Sequence, residues 1–244
     1  MATSKRDRLF AEPIEDLPSF AFNKAVAEVF QDMIKRSVPG YQTIVSYTGE
    51  LAERFVQSNT NCYDLGCSLG ASTMSIRQRI AGRKATIFAV DNSSAMLEKC
   101  TVMLANQHSD INVRLINADI CDIDINNASL AVMNFTLQFI PIEKRGALLN
   151  RIHRGLNSNG CLIISEKLHF ESPPLNHLLD ELHQQFKRSQ GYSDLEISQK
   201  RDAIENVLVP ETLECHIKRL KTCGFTSISP WFQCFNFCSL IAIK

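Results

Sequence analysis

The residues best suited to chemistry lie in the segment 63–73, which contains the pattern D-x-G-x-x-x-G. Gly66 and Gly70 allow the backbone to turn tightly and to approach a ligand, and the N–H groups that open the following helix face the turn. A dinucleotide-binding loop has a glycine where this chain has Ser68, and the charge of Asp64 would repel a pyrophosphate. A fixed carboxylate suits an ammonium or a sulfonium, so the loop predicts a site for S-adenosylmethionine.

Three other interpretations of this loop stay open at this point. Residues 66–70 also fit G-x-S-x-G, the turn that exposes a nucleophilic serine in esterases, although the residues before Asn61 look helical and that fold has strands there. An NAD site is the second alternative. The third is an ordinary strand-to-helix turn whose glycines serve only geometry. Cys67 lies in the same loop and is a candidate for a reactive thiol, although a small residue also packs well there.

Polar residues stand at the ends of the next three predicted strands, namely Asp91, Asp119 and Asn134. Ligands of doubly wound sheets lie beyond the carboxyl ends of the strands. Asp91 follows Gly70 by about 20 residues, the spacing at which a carboxylate accepts both hydrogens of a ribose diol. Asp119 is placed to accept from an adenine amino group, with Ile120 beside the base. Each acid taken alone also fits a helix cap, but together they favour an adenosyl ligand.

Apolar periodicity places these residues on alternating strands and helices. Two amphipathic helices precede the first strand and would form a lid over its carboxyl edge, which puts Tyr41 near the ligand. Continuous apolar runs predict buried parallel strands, and Pro141 opens a helix that is followed by a turn. The predicted strands are 85–90, 113–116, 130–133 and 161–165, the lid helices cover residues 26–34 and 44–55, and the turn is 157–160.

The alternation breaks after the fifth strand. Residues 170–208 carry two predicted helices, 175–187 and 194–207, and a further helix spans 211–223. Residues 225–244 predict a hairpin with 230–234 near its connection, which is short enough to require an antiparallel pair. We therefore expect one α/β domain over residues 1–244, a Rossmann-like class I methyltransferase fold with a mainly parallel sheet and an antiparallel last strand. Residues 1–58 form its N-terminal arm and lid helices, and 170–208 a helical insertion.

Composition limits the classes of partner. The 244 residues contain 26 basic and 26 acidic side chains, and a formal net charge of zero argues against direct nucleic-acid binding. The nine cysteines are scattered without a C-x-x-C pair, so we expect no metal site and reduced thiols in a cytoplasmic protein. Residues 1–10 lack the apolar core of a signal peptide, and no apolar run is long enough to span a membrane.

Five segments together resemble the carboxy-S-adenosyl-L-methionine synthase family, and the resemblance covers nearly the whole chain. The glycine loop by itself fits any class I methyltransferase. The more specific parts are the segment that contains Arg201 and the aromatic C-terminal hairpin, and no motif position departs from the pattern. The segments are 38–41, 63–70, 134–139, 193–201 and 231–237.

The resemblance implies a carboxyl transfer. Members of the family move a carboxyl group from prephenate to the methyl carbon of S-adenosyl-L-methionine, giving carboxy-S-adenosyl-L-methionine and phenylpyruvate. A second enzyme uses the product to modify the wobble uridine of tRNA. The sulfonium acidifies the methyl group, whose carbanion would attack the carbon dioxide that prephenate releases as its ring aromatises and expels hydroxide. Two alternatives remain: a conventional methyltransferase acting on a small molecule or RNA, and a non-catalytic S-adenosylmethionine-binding partner subunit.

The resemblance also implies roles for particular residues. Arg201 corresponds to the residue that binds the new carboxylate, and a guanidinium forms the two parallel hydrogen bonds that Lys200 could not copy. Members of the family are homodimers, so Arg201 is expected to reach the site of the neighbouring protomer. The positions that correspond to the family's other ligand contacts are Tyr41, Gly66, Cys67, Ser68, Asp91, Asn92, Asp119, Ile120 and Asn134.

Overall fold

The computed structural model describes residues 5–205 and 207–244. Residues 1–4 of the predicted N-terminal arm and Asn206 of the predicted helix 194–207 lie outside the described residues. The strands are β1 (Thr60–Leu65), β2 (Ala85–Asp91), β3 (Asn112–Asn117), β4 (Ala128–Asn134), β5 (Leu156–Lys167), β6 (Ser227–Cys234) and β7 (Phe237–Ile243). The helices are α1 (Lys24–Ser37), α2 (Tyr41–Phe55), α3 (Ala71–Arg79), α4 (Ser94–Ala105), α5 (Ile142–Gly155), α6 (Pro173–Ser189), α7 (Asp194–Ile204) and α8 (Leu213–Thr222).

The seven strands form one sheet in the order β3-β2-β1-β4-β5-β7-β6. The first five strands are parallel to one another, and β7 pairs antiparallel with both β5 and β6. The order reverses at β1, whose neighbours are β2 and β4, and such a switch point opens a crevice at the carboxyl ends of the strands. The predicted parallel sheet with an antiparallel last strand is confirmed.

Both faces of the central strands are covered, as their apolar runs predicted. Successive side chains of β4 point to opposite faces and enter different core clusters. Ala131 and Met133 pack with Leu65 on one face, whereas Leu130 and Val132 pack on the other. These side chains are fully buried, so the sheet is a rigid base for the residues at its carboxyl edge.

Helices α1 and α2 precede the sheet as predicted. Asn23 caps α1 by accepting a hydrogen bond from Val26 N at 3.1 Å, and the corner of residues 37–40 turns the chain into α2. Gly40 has φ +77°, and a Cβ there would lie 2.1 Å from the ring of Phe232. The corner is therefore fixed against the C-terminal hairpin.

Two local predictions were wrong. The segment 157–160, predicted as a turn, lies inside β5, where Asn159 adopts φ +62° and the pairing with β4 shifts register. The polar residues are accommodated as a bulge and do not end the strand. Pro230 and Trp231, predicted near the hairpin connection, lie within β6, and the connection is residues 235–236. Proline is tolerated on an edge strand such as β6, and the pairing with β7 shifts register between Pro230 and Phe232.

Candidate active site

The glycine loop joins β1 to α3 through three residues in the left-handed region of φ. Gly66 has φ +82°, Ser68 +48° and Gly70 +79°. A Cβ on Gly66 would lie 2.4 Å from Oγ1 of Thr136, a residue of the loop after β4. Glycine is therefore required both for the backbone conformation and for the close approach of the two loops.

Asp64 is buried at the end of β1, with 2% of its surface exposed. Its Oδ2 accepts a hydrogen bond from Thr73 Oγ1 at 2.5 Å, which ties the acid to the first turn of α3. Burial, and to a smaller extent the negative charge of Asp91, raises the pKa of Asp64 to about 6 against the hydrogen bonds from Thr73. Burial and the charge of Asp64 also raise the pKa of the Tyr41 phenol, so Tyr41 is a neutral donor close to this acid.

Asp91 holds the loop from the end of β2. Its Oδ2 accepts from the backbone N–H of Ser68, and its Oδ1 accepts from that of Ser93, both at 2.9 Å. Ser93 itself caps α4, because its Oγ accepts from Met96 N. Asp91 is thus more than a helix cap, and each carboxylate oxygen retains a second lone pair for a ligand. Burial raises its pKa.

Asn134 is fixed by three hydroxyl groups at the end of β4. Its Nδ2 donates to Ser72 Oγ at 2.9 Å and to Thr48 Oγ1 at 3.3 Å. Its Oδ1 accepts from Ser165 Oγ at 2.7 Å. The amide therefore joins α2, α3 and β5 at the mouth of the crevice, and Ser72 and Thr73 bring Asn134 and Asp64 to the same helix turn.

The remaining residues predicted to contact the ligand lie at the carboxyl edge of the sheet, on the side of β2 and β3. Ala118 N donates to Asp91 O at 3.1 Å, which places Asp119 next to the end of β2. Asp119 and Asn92 are exposed, whereas Ile120 is buried in the core. Asp119 Oδ1 accepts from Cys121 N at 2.8 Å.

Cys67 is a packing residue. It is 5% exposed and packs against Ala89 and Leu97. Contact with Cys100 and burial raise the pKa of its thiol, so the sulfur stays protonated and is a poor nucleophile. The esterase alternative also loses support. Among the described residues no histidine forms a hydrogen bond with Ser68, and the elements that precede β1 are both helices, whereas the esterase fold has strands there.

Arg201 lies apart from these residues within one protomer. It stands in the last turn of α7 with 58% of its side chain exposed. Its Nε contacts Asp202 Oδ1 at 3.3 Å, the single ion pair of Arg201 in the described residues. The monomer therefore brings together the predicted residues of the strand ends and the loop, but it leaves Arg201 facing outward.

Several site residues were missed by the sequence analysis. The hydroxyls of Thr48, Ser72 and Ser165 orient Asn134, and nothing in their spacing indicated this role. Glu166 was detectable, because it follows Ser165 at the end of a strand. It is buried, accepts from Leu137 N and Gln138 N at 3.0 and 2.8 Å, and so shapes the loop after β4. Burial raises its pKa to about 8.

Within residues 5–205 and 207–244, no group of three or more His, Cys, Asp or Glu side chains is arranged to hold a metal ion. In the same part of the chain no helix is long and apolar enough to cross a membrane.

Comparisons with known proteins agree with this architecture. Residues 63–160 match a methyltransferase domain family. A putative S-adenosyl-L-methionine-dependent methyltransferase from Methanococcus maripaludis superposes with a TM-score of 0.60 at 19% identity, covering 96% of this chain and 97% of the other. A putative O-methyltransferase from Nostoc punctiforme has a TM-score of 0.62 at 15% identity, covering 91% and 59%. The fold is that of the class I S-adenosylmethionine-dependent methyltransferases.

Closer relatives narrow this class. The chain is 54% identical over 241 residues to the carboxy-S-adenosyl-L-methionine synthase of Shewanella putrefaciens, with 99% of both chains covered. It is equally similar, over the same length and coverage, to the synthase of Shewanella oneidensis. The chain belongs to the carboxy-S-adenosyl-L-methionine synthase family.

Proposed function

We propose that this protein transfers a carboxyl group from prephenate to S-adenosyl-L-methionine, giving carboxy-S-adenosyl-L-methionine and phenylpyruvate. The observation that carries the proposal is the 54% identity to named synthases over 99% of both chains. Conservation of the whole length, including the helical insertion, is more than the shared nucleoside fold requires. The reaction is a transferase reaction in which the S-adenosyl compound is consumed as a substrate.

The crevice residues suit the adenosyl substrate. Asp64 lies buried behind the loop, where a carboxylate attracts the methionyl ammonium and the sulfonium. Asp91 has free lone pairs for the ribose hydroxyls, and the exposed Asp119 carboxylate suits the adenine amino group. Tyr41 and Asn134 stand at the opposite side of the loop. The chain supplies orientation and exclusion of water, which are the main needs of a reaction whose donor delivers its own carbon dioxide.

We assign the new carboxylate to Arg201, acting in a homodimer on the site of the partner. The support is its position: the guanidinium is exposed on α7 and, among the described residues, pairs with the neighbouring Asp202 alone, so it is available to a second protomer. A bidentate pair of a guanidinium with the added carboxylate would distinguish the product from S-adenosylmethionine. Prephenate, the dimer and this assignment are all parts of the proposal.

The product is proposed to supply a second enzyme that modifies the wobble uridine of tRNA to 5-carboxymethoxyuridine in the cytoplasm. Direct contact with nucleic acid is not part of the proposal, because the formal net charge of zero offers little electrostatic affinity for phosphate.

Mass spectrometry tests the reaction. The purified protein is incubated with S-adenosylmethionine and prephenate, and with each compound alone. We expect the carboxylated adenosyl product together with phenylpyruvate only in the complete mixture. A methylated third compound, or no conversion while S-adenosylmethionine still binds, would favour the conventional methyltransferase or the binding subunit respectively.

A further inference from the structure

A group of basic side chains lies between α1, α6 and α7, and we call Lys167, Lys187 and Lys200 the lysine cluster. On α6, Asp180, His183 and Lys187 are spaced by three and four residues and therefore share one face of the helix. His183 on this face is buried, and its Nε2 lies 2.8 Å from Ser37 O. That contact places the face against the corner between α1 and α2.

Two members of the cluster have partners. Lys200 is 8% exposed; its Nζ donates to Ser37 Oγ at 2.8 Å and lies 3.7 Å from Asp7 Oδ2. Lys167 Nζ lies 3.3 Å from Asp180 Oδ1. Asp180 also accepts from Asn236 Nδ2 at 2.8 Å, so its charge is shared. Each of these two lysines therefore has one carboxylate.

Lys187 has none. In the part of the chain that the structure describes, no hydrogen bond or ion pair reaches its Nζ. Burial, followed by the positive charges of Lys200, Lys167 and Arg201, lowers the pKa of Lys187 to about 7, while Asp180 acts in the opposite direction. Burial likewise lowers the pKa of Lys200 to about 8. Lys187 thus has no carboxylate of its own among the described residues, and a bound carboxylate would relieve the repulsion between the three lysines.

The cluster borders the active site. A row of rings runs from His183 through Phe237 and Phe135 to Tyr41, with centroid separations of 4.8, 6.0 and 6.3 Å. Lys167 is the last residue of β5, two positions after the serine that holds Asn134. The cluster therefore lies on the β4 and β5 side of the crevice, whereas the residues proposed for the adenosyl group lie on its β1 and β2 side.

We propose that the lysine cluster is a carboxylate-binding site for the donor substrate, with Lys187 as the residue that pairs with one carboxylate of a dicarboxylic acid. The proposal rests on the proposed function for the identity of that acid. The carboxyl group to be transferred must lie near the sulfonium, so the cluster holds the carboxylate that is retained in the product. This is the acid group of the pyruvyl side chain, and its capture orients the ring of the donor.

The experiment uses the full-length protein and its Lys187→Met, Lys187→Arg and Lys218→Met variants. Lys218 is exposed on α8 and controls for the loss of one positive charge. We measure KM for prephenate, the dissociation constant for S-adenosylmethionine by calorimetry, and the melting temperature. For Lys187→Met we expect KM to rise at least tenfold, affinity for S-adenosylmethionine to stay within twofold, and the melting temperature to rise because an unpaired cation is removed. In Lys187→Arg we expect KM for prephenate to return most of the way to the wild-type value, and in Lys218→Met we expect all three quantities to match the wild type.

An unchanged KM in Lys187→Met, an equal rise in the Lys218→Met control, or parallel losses of both affinities with a lower melting temperature would overturn the proposal. Direct calorimetry of prephenate separates it from the proposed function. If the wild type makes no carboxylated product yet binds prephenate and Lys187→Met does not, the site stands and the reaction is wrong. If the wild type makes the product and both proteins bind prephenate equally, the reaction stands and the site is wrong.

Discussion

Asp91 accepts a hydrogen bond from the backbone N–H of Ser68 at 2.9 Å, so the acid at the end of β2 holds the glycine loop that follows β1. The two residues belong to neighbouring parallel strands and their loops. The contact keeps Ser68 in the left-handed region at φ +48°. One carboxylate therefore both shapes the loop and faces the crevice that the loop borders.

The first prediction concerns this carboxylate. Asp91→Ala should weaken binding of S-adenosylmethionine by about 1.5–3 kcal/mol, roughly tenfold to a hundredfold, because hydrogen bonds to a charged group are lost and the loop is released. Calorimetric titration measures the change. Asp124→Ala removes an exposed acid from the loop before β4 and should bind as the wild type does. If the two variants behave alike, Asp91 has no part in the binding site.

The second prediction concerns pH. The pKa of Asp64 is raised to about 6, and a cationic ligand favours the ionised acid. The α-amino group of the ligand remains protonated below pH 7. Affinity for S-adenosylmethionine should therefore increase as pH rises from 5 to 7, and Asp64→Asn should flatten this rise. The stability of the ligand-free protein should show the opposite trend. Because the pKa of Asp64 is raised in the folded state, its contribution to stability is fully present below the ordinary carboxyl pKa of 3.8 and is lost as pH rises through 6. A pH-independent affinity in the wild type would contradict the assignment.

The third prediction concerns Gly66. Gly66→Ala should destabilise the fold by more than the 1–2 kcal/mol of left-handed strain, because its Cβ would also meet Thr136. Gly82 is the matched control: it has φ +79° with nothing within 4 Å of an added Cβ, so Gly82→Ala isolates the strain. Denaturant unfolding measures both. Adding Thr136→Ala to Gly66→Ala should restore part of the lost free energy of unfolding. Equal losses of unfolding free energy in Gly66→Ala and Gly82→Ala would show that the contact with Thr136 costs nothing.

The fourth prediction concerns the product. Arg201→Leu should weaken binding of carboxy-S-adenosyl-L-methionine by about 2–5 kcal/mol, since it leaves a carboxylate unpaired, and should spare S-adenosylmethionine. Arg201→Lys should recover only part of the affinity for carboxy-S-adenosyl-L-methionine, because an ammonium cannot form the bidentate pair. The exposed position of Arg201 means that the melting temperature should not change. Competition binding with the two compounds gives the comparison, and the same loss for both would count against a carboxylate contact.

The fifth prediction tests action across a dimer. At a subsaturating concentration of S-adenosylmethionine, Arg201→Leu and Asp91→Ala are each expected to lose most of their carboxylation activity alone, but a mixed dimer would contain one site with neither substitution. Equal mixing followed by exchange of protomers should restore about a quarter of the wild-type sites. The carboxylation assay measures the recovery. A mixture as inactive as its components, with exchange demonstrated by differently tagged protomers, would place Arg201 at the site of its own protomer.

The sequence by itself determined the class of fold and the edge of the sheet that carries the site. The D-x-G-x-x-x-G loop, the buried apolar strands and the polar residue after each of them follow local rules of backbone geometry and period. Asp64, Asp91 and Asn134 could therefore be placed at the strand ends before any contact was known. The aromatic hairpin and the insertion around Arg201 identified the family that the relatives confirm.

Only the tertiary structure decided how these residues are held. The bulge at 157–160 depends on pairing with β4, and the burial of Cys67 depends on packing beneath the loop. The position of Lys187 beside other lysines arises because α6 and α7 pack against the C-terminal end of α1, which is distant from them in sequence. Such effects depend on which surfaces exclude water, and spacing along the chain carries no record of that.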